Sequence, residues 1–141
     1  MLKALLEYDL LKKERGNIMQ REKGMTINEK IDYIELPARD IPANKKFFEL
    51  AFGWQFEDFG EEYTAFANQG VDGGFYKSDK KSVTSDGSAL VVFLSEQLEE
   101  TQQRIEDCGG SIVQEIFSFP GGRRFNFSDP CGNEYAVWSK T

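Results

Sequence analysis

The chain contains no histidine, so its chemistry has to come from carboxylates, tyrosines, arginines and cysteines. Without imidazole there is no Ser-His or Cys-His nucleophile and no His-ligated zinc, iron or copper site. Glu35 stands out among what remains. It falls in an alternating run over residues 31–36, a carboxylate in a strand expected to be mostly buried. Such a group can contact a ligand, act as a general base, or form a structural ion pair at a rim or subunit seam. Tyr33 shares its face and is either a hydrogen-bond donor or a core aromatic. Arg123 and Arg124 are adjacent in a later strand, so they point to opposite faces, and the inward one can recognise an anion. Asn126 lies on the Arg124 face and can orient a ligand. Cys108 and Cys131 are too few for a disulfide framework and lack metal-ligand spacing. Neither has a visible activating base, so no nucleophilic role is expected.

The elements that must hold these residues repeat. After the strand at 31–36, Pro37 is expected to end it and Asp40 to start a helix, with Pro42 in its first turn. Phe47, Phe48, Ala51 and Phe52 form the helix's apolar stripe, and Gly53 ends it. Short strands are expected at 54–58, 63–68 and 74–77. The polar stretch 78–87 reads as a linker or mobile loop. The order then recurs: a strand at 89–94, a helix at 96–108 capped by Ser95, and strands at 111–118, 123–127 and 134–139. Pro120-Gly121-Gly122 suits a hairpin rather than a phosphate cradle, because no helix follows it. Asp129-Pro130-Cys131-Gly132-Asn133 reads as a structural turn between strands. Residues 1–27 form a separate leader, with leucines at helical spacing over 2–14. Two readings of it stay open. It is an appendage that docks on the domain or a partner, or an accident of start-site choice, since Met19 and Met25 are also possible starts.

At 141 residues the chain is sized for one domain. Asp and Glu number 24 against 17 Lys and Arg, a formal charge of -7. That balance argues against nucleic-acid and anionic-membrane partners. No apolar run is long enough to span a membrane, and Glu7 and Asp9 interrupt the early leucines where a signal peptide would be uninterrupted. A cytoplasmic protein is expected.

Paired βαβββ modules, together with Asp129-Pro130-x-Gly132-Asn133 near the C-terminus, resemble the vicinal oxygen chelate superfamily of glyoxalases, extradiol dioxygenases, and bleomycin and fosfomycin resistance proteins. Ile34-Glu35-Leu36-Pro37, Phe52-Gly53-Trp54 and Phe119-Pro120-Gly121-Gly122-Arg123 support the likeness by their order and spacing. It implies an α+β fold over residues 28–141, with modules at about 29–77 and 88–139. The implied curved mixed sheets surround a cup-shaped cavity, with the helices outside. It also implies a small-organic-molecule ligand and a homodimer. The inner faces would carry Tyr33 and Glu35, Leu90 and Val92, and Ala136 and Trp138. Arg124 would reach Glu35 across the cup, with Asn126 beside it. Phe66 is read first as a core aromatic and kept as a candidate ligand contact. The superfamily's metal-ligand positions fall on Tyr33, Leu90 and Ala136, which are poor or absent donors. No metal, no other cofactor and no metal-dependent glyoxalase or dioxygenase reaction is therefore expected. Three functions stay open: ligand sequestration, a metal-independent isomerase or lyase with Glu35 as base, and an interaction module acting through the leader.

Overall fold

A computed structural model describes residues 28–141; the leader reading lies outside them. Strand β1 (Tyr33–Ala38) leads to helix α1 (Ile41–Phe52), then β2 (Phe56–Asp58), β3 (Tyr63–Phe66) and β4 (Asp72–Lys77). A short 3-10 turn (Thr84–Asp86) precedes β5 (Val91–Leu94), α2 (Leu98–Asp107), β6 (Ser111–Phe119), β7 (Gly122–Ser128) and β8 (Glu134–Ser139). The two four-stranded sheets have matching orders, β1-β4-β3-β2 and β5-β8-β7-β6. In each, the first strand runs parallel to the last and the remaining pairs are antiparallel. The result is the expected α+β class with paired βαβββ modules. No helix among the described residues is long and apolar enough to cross a membrane.

Helix α1 begins where the Asp40 carboxylate accepts the Ala43 N–H at 3.1 Å, satisfying one of the free donors of the first turn. Its phenylalanine stripe then meets both sheets. Phe48 is fully buried and packs on Phe75 of the first sheet and Tyr135 of the second, each at 5.5 Å between ring centroids. Phe52 stacks on Phe93 of the second sheet at 4.7 Å. Trp54, just past the helix, lies 4.4 Å from both Phe48 and Phe66. These contacts make one continuous core between the sheets. The helix-covered faces of both sheets therefore turn toward each other, and their inner faces lie on opposite sides of that core.

A buried polar knot locks this arrangement. Asp129 is 3% exposed. Its carboxylate accepts from the Asn44 and Asn133 amides, the Tyr135 hydroxyl, and the backbone N–H groups of Cys131 and Asn133, at 2.7–3.1 Å. Asn133 also donates to the Pro37 carbonyl at 2.7 Å and accepts the Ser82 N–H at 2.9 Å. Gly132, with φ 89°, supplies the left-handed residue that closes the turn. One pentapeptide thus joins β1, α1, the inter-module segment and β8.

The structure corrects three local expectations. Strand β1 does not end at Pro37 but continues to Ala38; it is an edge strand, where a missing N–H is tolerated on the unpaired side. The 78–87 segment is pinned rather than free, because Ser82 bonds Asn133 and receives the Glu134 N–H at 2.8 Å. Ser95 does not occupy the N-cap of α2, a position held by Gln97. Its hydroxyl instead accepts the Gln97 N–H at 3.0 Å and pairs with the Thr101 hydroxyl at 2.8 Å.

Asn133→Asp keeps the shape but places an oxygen against two acceptors, the Pro37 carbonyl and the Asp129 carboxylate. We expect a loss of about 3 kcal/mol, read as a lower urea midpoint at unchanged slope. A midpoint within error of the parent would refute the role of this amide as a donor.

Candidate functional site

Alternation along β1 sends Ile34, Leu36 and Ala38 to the core and leaves Tyr33 and Glu35 on the inner face. Tyr63 reaches them from β3, its hydroxyl 2.5 Å from that of Tyr33. Gly74 of β4 is the register partner of both Glu35 and Ala65. A Cβ at Gly74 would collide with the Tyr63 hydroxyl and come within 2.8 Å of the Tyr33 hydroxyl. The tyrosine pair can lie down on the sheet only because that position has no side chain. Burial, the Tyr33 hydrogen bond and the neighbouring Glu35 carboxylate push the Tyr63 phenol far above its ordinary pKa. It stays neutral and remains a donor. One Glu35 oxygen, Oε2, is buried without a hydrogen-bond partner among the described residues.

The inner face of the second sheet carries a polar relay. Arg124 donates from Nη2 to Asn126 Oδ1 at 3.2 Å, and Asn126 donates from Nδ2 to Glu134 Oε2 at 3.0 Å. Glu134 Oε1 accepts the Thr84 N–H and hydroxyl at 2.9 and 2.8 Å. Burial opposes charge on Glu134, but the Thr84, Asn126 and Arg124 contacts outweigh it and hold the carboxyl below its ordinary range. The Arg124 guanidinium carbon lies 5.4 Å from the centre of the Phe117 ring. Its Nε is buried and has no hydrogen-bond partner among the described residues. Val92 and Leu94 of β5 stand 46% and 58% exposed, and Trp138 is the register partner of Arg124.

The structure places the expected residues in two groups. Tyr33 and Glu35 sit on the first inner face; Val92, Arg124, Asn126, Ala136 and Trp138 sit on the second. Leu90 is half-buried and precedes β5 rather than belonging to it. Phe66 does not join Tyr33 and Glu35. It points to the opposite side of β3, is 2% exposed and packs in the core, beside an edge hollow of about 170 Å³. The expected Arg124–Glu35 pair does not form, because the two inner faces lie on opposite sides of the shared core. Of the two arginines, Arg124 is the inward one, since Arg123 turns to Glu99 of α2 and the Thr141 carbonyl. Sequence reasoning missed Tyr63, Gly74 and Thr84. Two signals could have found the first two: the alternation of Tyr63 with Ala65, and the Gly73-Gly74 pair inside a strand, which marks close approach.

A family model for the Glyoxalase/Bleomycin resistance protein/Dioxygenase superfamily matches residues 30–137. The chain belongs to this superfamily. Comparison with curated protein sequences finds no match. Among solved structures, the chain is similar to a glyoxalase-related enzyme from Fulvimarina pelagi (16% identity, 79% of this chain and 88% of the other, TM-score 0.67). A genomically encoded fosfomycin resistance protein from Listeria monocytogenes is similar too (18% identity, 82% and 96% covered, TM-score 0.67). So is an integron cassette protein from V. cholerae (24% identity, 83% and 98% covered, TM-score 0.57). At these identities the likeness is one of fold.

The superfamily's metal positions can be tested on this chain. Tyr33 has its hydroxyl engaged by Tyr63, Leu90 has no donor atom, and Ala136 is a fully buried methyl group. Among the described residues, no three or more His, Cys, Asp or Glu side chains are grouped to hold a metal ion. This donor set does not fit a divalent metal.

Gly74→Ala should part the tyrosine pair and cost about 2 kcal/mol, with Tyr63 then ionising earlier in an absorbance-monitored alkaline titration. Tyr63 and Tyr135 both have phenols raised above the usual range, chiefly by burial. Their neutral forms favour the fold, so that stability is full below the unfolded phenol pKa of about 10 and falls as pH rises beyond it. Urea midpoints at about pH 9 and about pH 11 check the sign. Equal midpoints would contradict it.

Proposed function

We propose that this superfamily member binds a small organic molecule without a resident metal, between the inner face of the first module in one copy and that of the second module in another. The single observation behind this reading is the back-to-back packing of the two sheets on one aromatic core. A single chain cannot bring its inner faces together around one ligand. Each face is half a cup, and β1 and β5 are edge strands among the described residues, which a second copy would shield. Tyr33, Glu35 and Tyr63 would form one wall. Val92, Arg124 and Trp138 would form the other, backed by the buried Asn126 and Ala136, with Leu90 at its margin. A largely apolar wall with a few placed polar groups suits a small organic ligand. Sequestration needs nothing more.

A second reading is favoured by the free Oε2 of Glu35. In it the chain is a metal-independent isomerase or lyase. Glu35 takes a proton from carbon, and the neutral Tyr63 hydroxyl beside it donates to the developing oxyanion. Turnover lost in Glu35→Gln while binding persists would select this reading over sequestration.

The test is a thermal-shift screen of the full chain with metabolites and aromatic antibiotics, with and without a chelator, alongside sedimentation. We expect a dimer and a ligand-induced rise in Tm of several degrees that the chelator does not change. A rise that appears only with a divalent ion would overturn the metal-independent reading. A monomer that still binds would overturn the shared site.

A further inference from the structure

The two inner faces carry opposite unmet needs. Among the described residues Glu35 Oε2, on the first, is a buried acceptor without a donor. Arg124 Nε, on the second, is a buried donor without an acceptor among the same residues. Both groups are otherwise well placed. Glu35 is flanked by the Tyr63 phenol, and Arg124 is steadied by Asn126 and the Phe117 ring. Leaving either atom unmet costs more than an ordinary hydrogen bond returns. Among the described residues neither atom has a partner, and the core keeps the two from meeting each other within one copy.

We propose that the ligand is amphoteric: an organic molecule with an acidic group for Arg124, a hydrogen-bond donor such as an ammonium for Glu35, and a flat apolar body between them. This rests on the shared-site reading above. The guanidinium edge takes a carboxylate or phosphonate through paired N–H groups. The Glu35 oxygen takes the ammonium. Trp138, Val92 and Leu94 provide the surface for the apolar body. Neither charged wall alone would favour such a molecule over a simple acid or a simple amine.

The experiment uses the full chain and three probes: para-aminomethylbenzoate, benzoate and benzylamine. Binding is followed on the indole N–H signals of its two tryptophans. Trp54 is buried in the core and serves as the internal control for Trp138. We expect the amphoteric probe to shift Trp138, not Trp54, and to bind about tenfold more tightly than either single-charge probe. Glu35→Gln should erase its advantage over benzoate, and Arg124→Met its advantage over benzylamine. Arg124→Lys keeps the charge but lacks Nε. It should lose most of the second advantage and carries the test if the Met variant does not fold. Equal affinities with Trp138 shifted in all three would overturn the amphoteric ligand and leave the site standing. Trp138 unmoved by every probe would overturn both. If each variant instead dissociates the dimer and the amphoteric probe has no advantage, Glu35 and Arg124 pair directly between copies, and the proposal fails.

Discussion

Five donors converge on the buried Asp129 carboxylate, and the rest of the molecule is arranged around that convergence. A carboxylate taken out of water is tolerable only when donors replace its hydration. Burial still dominates here, and it holds the Asp129 carboxyl above its ordinary range despite those donors. The donors come from α1, the turn itself and β8, while Asn133 extends the network to β1 and the inter-module segment. Hydrophobic contact alone would let two aromatic-rich sheets slide over one another. The polar knot fixes one register, because any shift would strand several buried groups at once.

That fixed register decides where chemistry can happen. With the aromatic layer between the sheets, the core takes the helix-covered faces and leaves polar groups to the inner ones. Tyr33 and Tyr63 meet over Gly74, and Arg124, Asn126 and Glu134 align through the strand pairing of β7 and β8. The same packing that completes the fold divides the proposed binding surface between two faces. Superfamily membership does not specify what completes it, since the scaffold hosts unrelated activities.

Much of this was legible in the residues. The Phe47, Phe48, Phe52 stripe, the Asp40 cap and the Gly53 stop are local signals, and α1 follows them. Alternation correctly set Tyr33 and Glu35 apart from Ile34 and Leu36. The inward orientation of Arg124 was not decidable from alternation alone, since Arg123 is equally polar; Glu99 on α2 resolves it. Phe66 sits in the core, as first read; it stayed a candidate ligand contact because β3 is buried on both sides and offers no polar alternation to read. Its partners, Trp54 and Phe75, come from other elements. The Glu35–Arg124 pairing failed for a different reason. Strand patterns tell which residues share a face, and they are silent on which faces share a core. The 78–87 segment looked free because its anchors, Asn133 and Glu134, lie some fifty residues away in sequence.

The two inner faces also differ in how much change they can absorb. On the first, Gly74 admits no side chain beneath the tyrosines, so a new shape there must rearrange the sheet. On the second, Val92 and Leu94 project from an edge strand with no core neighbours to disturb. Substitutions at Val92 and Leu94 therefore disturb the fold less than those around Gly74, whereas Val91 and Phe93 of the same strand stay tied to the core. The fold thus fixes the shape of the first inner face and leaves the edge of the second open to variation.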